Sequence, residues 1–383
     1  MKIVIVMDSF KGSVTSIEAG TAAKKGIEAA YNGQNQPDIR VLSIADGGEG
    51  TIDAIFHRFP DQVQTGTVQG PMFGQSVMAK YGQIDEKVVL EIAETSGIML
   101  VDKEVLNPWE ATTYGLGEKI EQRIKAGARH FLVGLGGSAT NDAGIGMLYA
   151  LGVRFLDAKG CSLGYHLKNL HNLAQIDTSD LLPELVDCTF VIASDVTNPL
   201  CGEQGATHIF GPQKGVKNAE KETIDSLLYR FALLTEKVTK TKMIDTPGSG
   251  AAGGVGFAFL SYLNATIVPG FEEVARHIQL EEQIETSDLV ITGEGLLDAQ
   301  SLMGKVPISV ALLAKKYNKP VIALAGGVSR DAHQSNAMGI QAYFPTIQRI
   351  ATESEILTKK STLAAIEATA EQLFRFAQLF QQK

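Results

Sequence analysis

At 383 residues the chain is long enough for two domains, each with a core of its own. Hydrophobic residues make up 44% and charged residues 20%, ordinary values for a soluble globular protein. The net charge of −9 excludes the broad basic footprint of a nucleic-acid binder, but leaves room for a local lysine cluster facing a small anionic substrate.

The chain opens on a nearly all-apolar stretch, Lys2–Met7, that reads as a strand buried on both faces; the charge at Asp8 comes too soon for a signal peptide. It ends in Asp8-Ser9-Phe10-Lys11-Gly12-Ser13, and a helix follows from the capping-box pair Thr15 and Glu18. A second strand at Ile39–Ile44 ends in Ala45-Asp46-Gly47-Gly48-Glu49-Gly50-Thr51, with a helix expected as far as Phe59. Strand, polar glycine loop and helix, twice over, make a parallel α/β beginning.

The pattern then changes. Val63–Gln69, Ser76–Tyr81 and Val88–Ile92 are short strands joined by connections that only antiparallel pairing allows. A helix around Thr112–Lys125 and a buried strand, His130–Val133, lead into Gly134-Leu135-Gly136-Gly137-Ser138-Ala139-Thr140-Asn141-Asp142-Ala143-Gly144. This glycine-dense turn precedes a helix at Ile145–Leu151, an arrangement that can hold a phosphate on bare backbone N–H groups. The plainer reading is a tight turn with an Asn/Asp helix cap. Strands at Val153–Leu156 and Thr189–Ser194 follow, the second ending in Asp195-Val196-Thr197-Asn198-Pro199. A long amphipathic helix is expected from about Ala219 to Lys237.

Ala251–Phe271 carries no charge and is long enough to suggest a membrane span, but Gly253, Gly254, Gly256, Asn264 and Pro269 favour a buried helix running into a strand. The first pattern returns near residue 285. Leu289–Thr292 is a strand ending in Gly293-Glu294-Gly295 and Asp298, Val306–Lys316 a helix with Pro307 in its first turn, Val321–Ala325 a strand, and Leu363–Phe380 a last helix. Residues 1–60 and 285–383 are therefore expected to form one doubly wound domain from both chain ends, with 61–284 inserted as a second, mixed α/β domain.

Cys161, Cys188 and Cys201 are scattered, and the seven histidines form no HExxH or Cys/His cluster. Neither a disulfide framework nor a zinc site is expected, and a reducing, cytoplasmic setting is.

In open parallel sheets ligands bind beyond the carboxyl ends of the strands. Here five such ends carry Asp8/Lys11, Asp46/Glu49, Glu294/Asp298, Asn141/Asp142 and Asp195/Asn198, four of them beside glycines. A single Asp at such a place is as readily a turn residue; five sets favour a polar cleft between the domains. Lys11, Lys214 and Lys305 also lie in glycine-flanked loops, though each taken alone could be a surface lysine. Carboxylates, lysines and anion-holding turns suit phosphoryl transfer with Mg²⁺, and the absence of GxxxxGK[ST] excludes a P-loop enzyme. A second reading is an NAD-dependent dehydrogenase, since Gly134-x-Gly136-x-x-Ala139 follows a strand and Asp157 lies where a ribose-binding acid belongs. A non-catalytic sugar- or acid-binding protein is a third; it leaves the carboxylates and lysines unexplained.

The six motifs Asp8–Ser13, Ala45–Thr51, Gly136–Asp142, Asp195–Leu200, Phe210–Gly215 and Thr292–Gly295 with Asp298 stand in an order that resembles the type I bacterial glycerate kinase family, distinct from the P-loop glycerate kinases. The resemblance runs from residue 1 to about residue 330. It implies ATP- and Mg²⁺-dependent phosphorylation of D-glycerate to 2- or 3-phosphoglycerate, and a flavodoxin-like domain enclosing a second α/β domain. Among the residues here, Lys11 or Lys214 would meet the substrate carboxylate. Asp8, Asp46 or Asp195 would handle the hydroxyl proton, with Asp195 preferred. Gly136, Gly137 and Ser138 would hold phosphate oxygens; Asn141, Asp142 and Lys305 are grouped with them for the nucleotide, and Glu294 and Asp298 would hold the metal. No nucleic-acid or membrane partner is expected; a homo-oligomer is compatible with the sequence.

Overall fold

The structure is a computed structural model and describes residues 1–10, 12–33, 35–350 and 352–380. β1 (Lys2–Met7) leads through the helix Ser16–Ala30 to β2 (Asp38–Ser43) and a short helix, Thr51–Ile55. Next come β3 (Val63–Gln69), β4 (Ser76–Ile84), β5 (Lys87–Glu91), the helix Tyr114–Lys125 and β6 (His130–Gly134). The short helix Ile145–Ala150 is followed by β7 (Arg154–Leu156), β8 (Gln175–Asp177) and β9 (Thr189–Ala193). Helices Lys221–Thr239 and Ala251–Tyr262 precede β10 (Thr266–Val268). The remaining elements are β11 (Leu289–Leu297), the helix Val306–Lys316, β12 (Val321–Val328), β13 (Ala342–Pro345) and the helix Lys359–Gln378. The chain divides into two compact units: Met1–Asp46, Asp53–His57 and Phe271–Lys383 form the first, Gly47–Ile52 and Arg58–Gly270 the second.

The first unit is built on a five-stranded, all-parallel sheet in the order β2-β1-β11-β12-β13. Numbered within the unit, that is the flavodoxin-like order 2-1-3-4-5. Alternation along β1 shows why both faces are covered. Ile3, Ile5 and Met7 pack with Ile27 of one helix and with Ile366 and Phe374 of another, whereas Val4 and Val6 pack with Val306 and Val310 on the opposite face. The helix after β1 starts as its sequence requires: the Glu18 N–H donates to Thr15 Oγ1 and the Thr15 N–H to the Glu18 carboxylate.

The second unit holds a six-stranded sheet, β10-β9-β6-β5-β4-β3. β10, β9, β6 and β5 run parallel, and β5-β4-β3 are antiparallel, as their short connections demand. Its core includes Phe131 stacked on Phe190 at 4.9 Å between centroids. The apolar stretch after residue 250 is a buried helix and then β10, and among the described residues no helix is long and apolar enough to cross a membrane. Its entry is a left-handed turn at Ala252, Gly253 and Gly254, so regular helix begins only beyond them.

Several elements differ from expectation; β11 runs on to Leu297, so Glu294 lies within that strand and not past its end. The helix after β2 stops at Ile55, short of the expected Phe59, which precedes Pro60 and sits at φ −134°. The last helix starts a turn earlier, at Lys359, where Thr358 Oγ1 accepts the Ser361 N–H. β7 joins no large sheet; it pairs with β8 in a separate ribbon. β13, unforeseen in the sequence, completes the first sheet.

Candidate active site

In the first unit the carboxyl ends of the parallel strands open on a cavity of about 580 Å³. Asp8 follows β1 directly, held by its N–H to the Gly293 carbonyl at 2.8 Å, and Asp46 lies just beyond β2. β11 carries Glu294, and past its end comes Asp298, whose Oδ1 accepts the N–H groups of Gln300 and Ser301 at 2.8 and 3.1 Å. Lys305 stands at the N-cap of the helix Val306–Lys316. These five candidates all line the same cavity.

Glu294 is the most unusual of them. It is buried, and its Oε1 has no hydrogen-bond partner. Burial, with the Asp8 and Asp298 charges nearby, pushes its carboxyl up to about 7, against the opposing pull of Ser301 and Lys305. An orphaned carboxylate oxygen in a cavity with a lysine suits a cation arriving with a ligand. Among the described residues no three or more His, Cys, Asp or Glu side chains are grouped to hold a metal alone. Mg²⁺ commonly binds through one or two carboxylates and completes its shell from substrate phosphates and water, so Glu294 and Asp298 fit it.

In the second unit the glycine loop after β6 is packed by a distant segment. The Gly136 N–H donates to the Gly47 carbonyl at 3.2 Å, and a Cβ on Gly136 would lie 2.4 Å from Gly48 Cα. A Cβ on Gly47 would lie 2.7 Å from the Ala193 carbonyl. The Gly47-Gly48 backbone thus crosses the carboxyl ends of β6 and β9, which side chains would prevent. Gly137 is exposed with φ +78°, and a Cβ there would meet only Ala93 Cβ, at 3.5 Å.

Asp142 spends its carboxylate within the fold. Oδ2 accepts from the Thr113 N–H and hydroxyl at 2.9 and 2.8 Å and from the Gly146 N–H at 3.2 Å; Oδ1 accepts the Gly144 N–H at 3.0 Å. It therefore occupies the N-terminus of the short helix Ile145–Ala150, and burial raises its pKa against those four donors. Asn141, fully buried, donates to Thr207 Oγ1 and leaves its own Oδ1 unpartnered. Lys214 is buried too, and its Nζ donates to Ser138 Oγ at 2.8 Å and the Thr140 carbonyl at 2.7 Å. Burial pulls its pKa down to about 7, although the Asp142 charge resists. Asp195, beyond β9, is exposed and accepts the Gly270 N–H at 2.8 Å.

Lys11 lies outside the described residues. The dehydrogenase reading is not favoured. The turn at Gly134–Ala139 does not run directly into a helix, since Ile145–Ala150 begins later with Asp142 at its end. Asp157 sits beyond β7 in the two-stranded ribbon, where its Oδ1 closes a turn by accepting the N–H groups of Lys159 and Cys161. A ribose-binding acid would follow a strand of the parallel sheet.

Sequence reasoning missed two features. Glu91, the last residue of β5, is buried and accepts the N–H groups of Ile52 and Gly50 at 2.6 and 3.1 Å. The cavity also has an apolar wall from Ile347, Ile356, Leu357 and Ala365. The run Tyr343-Phe344-Pro345, aromatic and closed by a proline, was the available signal for the edge strand that precedes that wall.

Comparison with known proteins bears on these clusters as a set. The family model described as the glycerate kinase family matches residues 3–378. The glycerate 2-kinase of Escherichia coli (strain K12) is 43% identical over 359 residues, covering 93% of either chain. The glycerate kinase of Bacillus subtilis (strain 168) is 41% identical over 349 residues, 91% of this chain and 90% of that one. A crystal structure described as a putative glycerate kinase 2 from Salmonella typhimurium LT2 superposes with a TM-score of 0.83 at 39% identity, covering both chains fully.

Proposed function

The chain belongs to the glycerate kinase family, and we propose that it transfers the terminal phosphoryl group of ATP to D-glycerate in the cytoplasm. The observation that carries this reading is the cavity at the carboxyl ends of β1, β2 and β11, where carboxylates, Lys305 and the unpartnered Glu294 oxygen converge. Phosphoryl transfer asks little covalent chemistry of a protein; it needs positioning and compensation of charge.

The residues divide the work as follows. Glu294 and Asp298 hold Mg²⁺, which neutralises charge on the phosphate oxygens when bound. Lys305 meets the nucleotide phosphates. Gly137 and Ser138 offer backbone and hydroxyl donors to phosphate oxygens; the Gly136 N–H, expected bare, is taken by the Gly47 carbonyl, and Asn141 and Asp142 shape that loop. Asp195 positions the attacking hydroxyl and accepts its proton; its contact with the Gly270 N–H fixes one oxygen and supports that role, with Asp8 and Asp46 as the other carboxylates that could serve. Lys214, tied to Ser138, or Lys11 answers the substrate carboxylate. The hydroxyl phosphorylated is that at C2, in keeping with the name of the Escherichia coli relative.

ADP release measured with Mg-ATP across D-glycerate, L-glycerate, glycerol, lactate and small sugars tests the reading. Turnover confined to D-glycerate, with phosphorus NMR showing the 2-phosphate, is the expected result. A 3-phosphate product would overturn the position alone; no turnover, together with NAD binding, would overturn the kinase reading.

A further inference from the structure

The cavity of the first unit is larger than a three-carbon acid needs, and its walls are of two kinds. At about 580 Å³ it falls in the range of pockets that enclose ligands of drug size, roughly 300–1,000 Å³. One wall is the carboxylate and lysine set already described. The other is richer in apolar side chains: Phe10 in the loop after β1, Ile347 just past β13, and Ile356, Leu357 and Ala365 around the start of the last helix, with Gln348, Arg349 and Ser361 among them.

Two of these side chains are exposed although they line a cavity, Ile347 at 40% and Leu357 at 43%. Large apolar side chains left uncovered at a concave site mark a surface that a ligand covers. The wall is also fixed in place. Ser13 and Thr362 share a hydrogen bond between their hydroxyls, and the Thr362 hydroxyl also donates to the Ile356 carbonyl at 3.2 Å. These bonds tie the loop after β1 to the last helix and to the segment before it.

We infer that this apolar wall is the nucleoside subsite: the adenine and ribose of the phosphoryl donor lie against Phe10, Ile347, Ile356, Leu357 and Ala365, with the phosphates running toward Lys305 and the carboxylates. A purine is flat and apolar on both faces, so it takes the side that presents these apolar side chains. Its phosphates take the end with the lysine and the metal-holding oxygens. A single ligand then matches both ends of the cavity, which glycerate, polar throughout, does not. The inference rests on the kinase reading and adds which unit holds the base.

The test is calorimetric titration of ADP into the full chain in the absence of glycerate, with adenosine as a second titrant, for the wild type and two variants. Ala365→Trp fills the wall, and Leu357→Asp puts a charge on an exposed position where folding tolerates it. The expected result is a Kd for ADP raised about tenfold or more in both variants, with adenosine losing affinity in step. If Ala365→Trp fails to fold, Leu357→Asp alone decides. Wild-type affinity for ADP in a folded Leu357→Asp protein that still turns over D-glycerate would overturn the subsite and leave the kinase reading standing. A wild type that neither binds ADP nor turns over glycerate would overturn both.

Discussion

Glu91 at the end of β5 accepts the backbone N–H of Ile52 at 2.6 Å, and with its other oxygen that of Gly50 at 3.1 Å. A buried carboxylate therefore fastens the second glycine loop onto the second unit, over the ends of β5, β6 and β9. Burial pushes the carboxyl up to about 8 from 4.5, and the two N–H donors only partly offset it.

The sign of the pH effect follows. Between about 4.5 and about 8 the folded chain keeps a proton on Glu91 that the unfolded chain has released. This group's contribution to stability is thus full below 4.5 and is lost as pH rises through about 8. Thermal unfolding should show Tm declining from about pH 5 to about pH 9, with a shallower decline in Glu91→Gln. Parallel slopes in the two proteins would mean that the folded carboxylate is ionised throughout.

Gly136 and Gly137 are neighbours with different reasons for being glycine. Alanine at 136 drives a Cβ into the Gly48 backbone, 2.4 Å away, and neither segment is a flexible side-chain end that can swing aside. An overpacking cost of about 1–3 kcal/mol is expected. Alanine at 137 meets no such obstacle and costs only its left-handed backbone, about 1 kcal/mol. Urea unfolding should rank Gly136→Ala as the less stable of the two. The reverse order would show that the loop is not pinned at the crossing.

That pair also shows what was legible in the sequence. The glycines at 134, 136 and 137 read in the sequence as a turn whose bare N–H groups hold a phosphate; the Gly136 N–H instead meets the Gly47 carbonyl, a partner remote in the chain. Local signals read well. The Thr15/Glu18 box, Pro307 in its helix and the buried apolar strands appear where expected, and with them the parallel sheet of the first unit. Signals that depend on distant partners did not. Glu91 is one carboxylate at a strand end until the Ile52 N–H is set against it, and β13 is too short to register before β12 pairs with it. The carboxylates at the ends of β1, β2 and β11 were legible as a set because the parallel fold itself gathers strand ends; the apolar wall opposite them comes from elements whose sequence pattern marks only packing.

Lys214 has two protons committed to Ser138 Oγ and the Thr140 carbonyl, and a pKa that burial lowers to about 7 from 10.5. Its cationic form is therefore the minority above about pH 7. If that cation answers the substrate carboxylate, kcat/KM for D-glycerate should be highest below this value and fall as pH rises through it. Lys214→Ala should raise the glycerate KM by about tenfold or more, the scale of a charged hydrogen bond, and erase that limb of the profile. An unchanged KM and an unchanged profile would remove Lys214 from substrate binding and leave it as the brace of the Ser138–Thr140 turn.

Asp142 offers the sharpest separation of folding from chemistry. Its four donors sit inside the second unit with no water-facing alternative, and the Thr113 hydroxyl that donates to it at 2.8 Å also accepts the Met147 N–H at 2.9 Å. The carboxylate thereby ties the start of the helix Tyr114–Lys125 to that of Ile145–Ala150. Asp142→Ala strands these donors together, and a loss of about 3–5 kcal/mol is expected, as for a buried polar network deprived of one partner. Thr113→Val removes a single link, with an expected loss of about 1–3 kcal/mol. Because the two residues share one network, the double variant should lose less than the two single losses added together. Additive losses by chemical denaturation would mean that Asp142 and Thr113 act separately. A folded, fully stable Asp142→Ala that had lost only turnover would move Asp142 from the scaffold to the reaction.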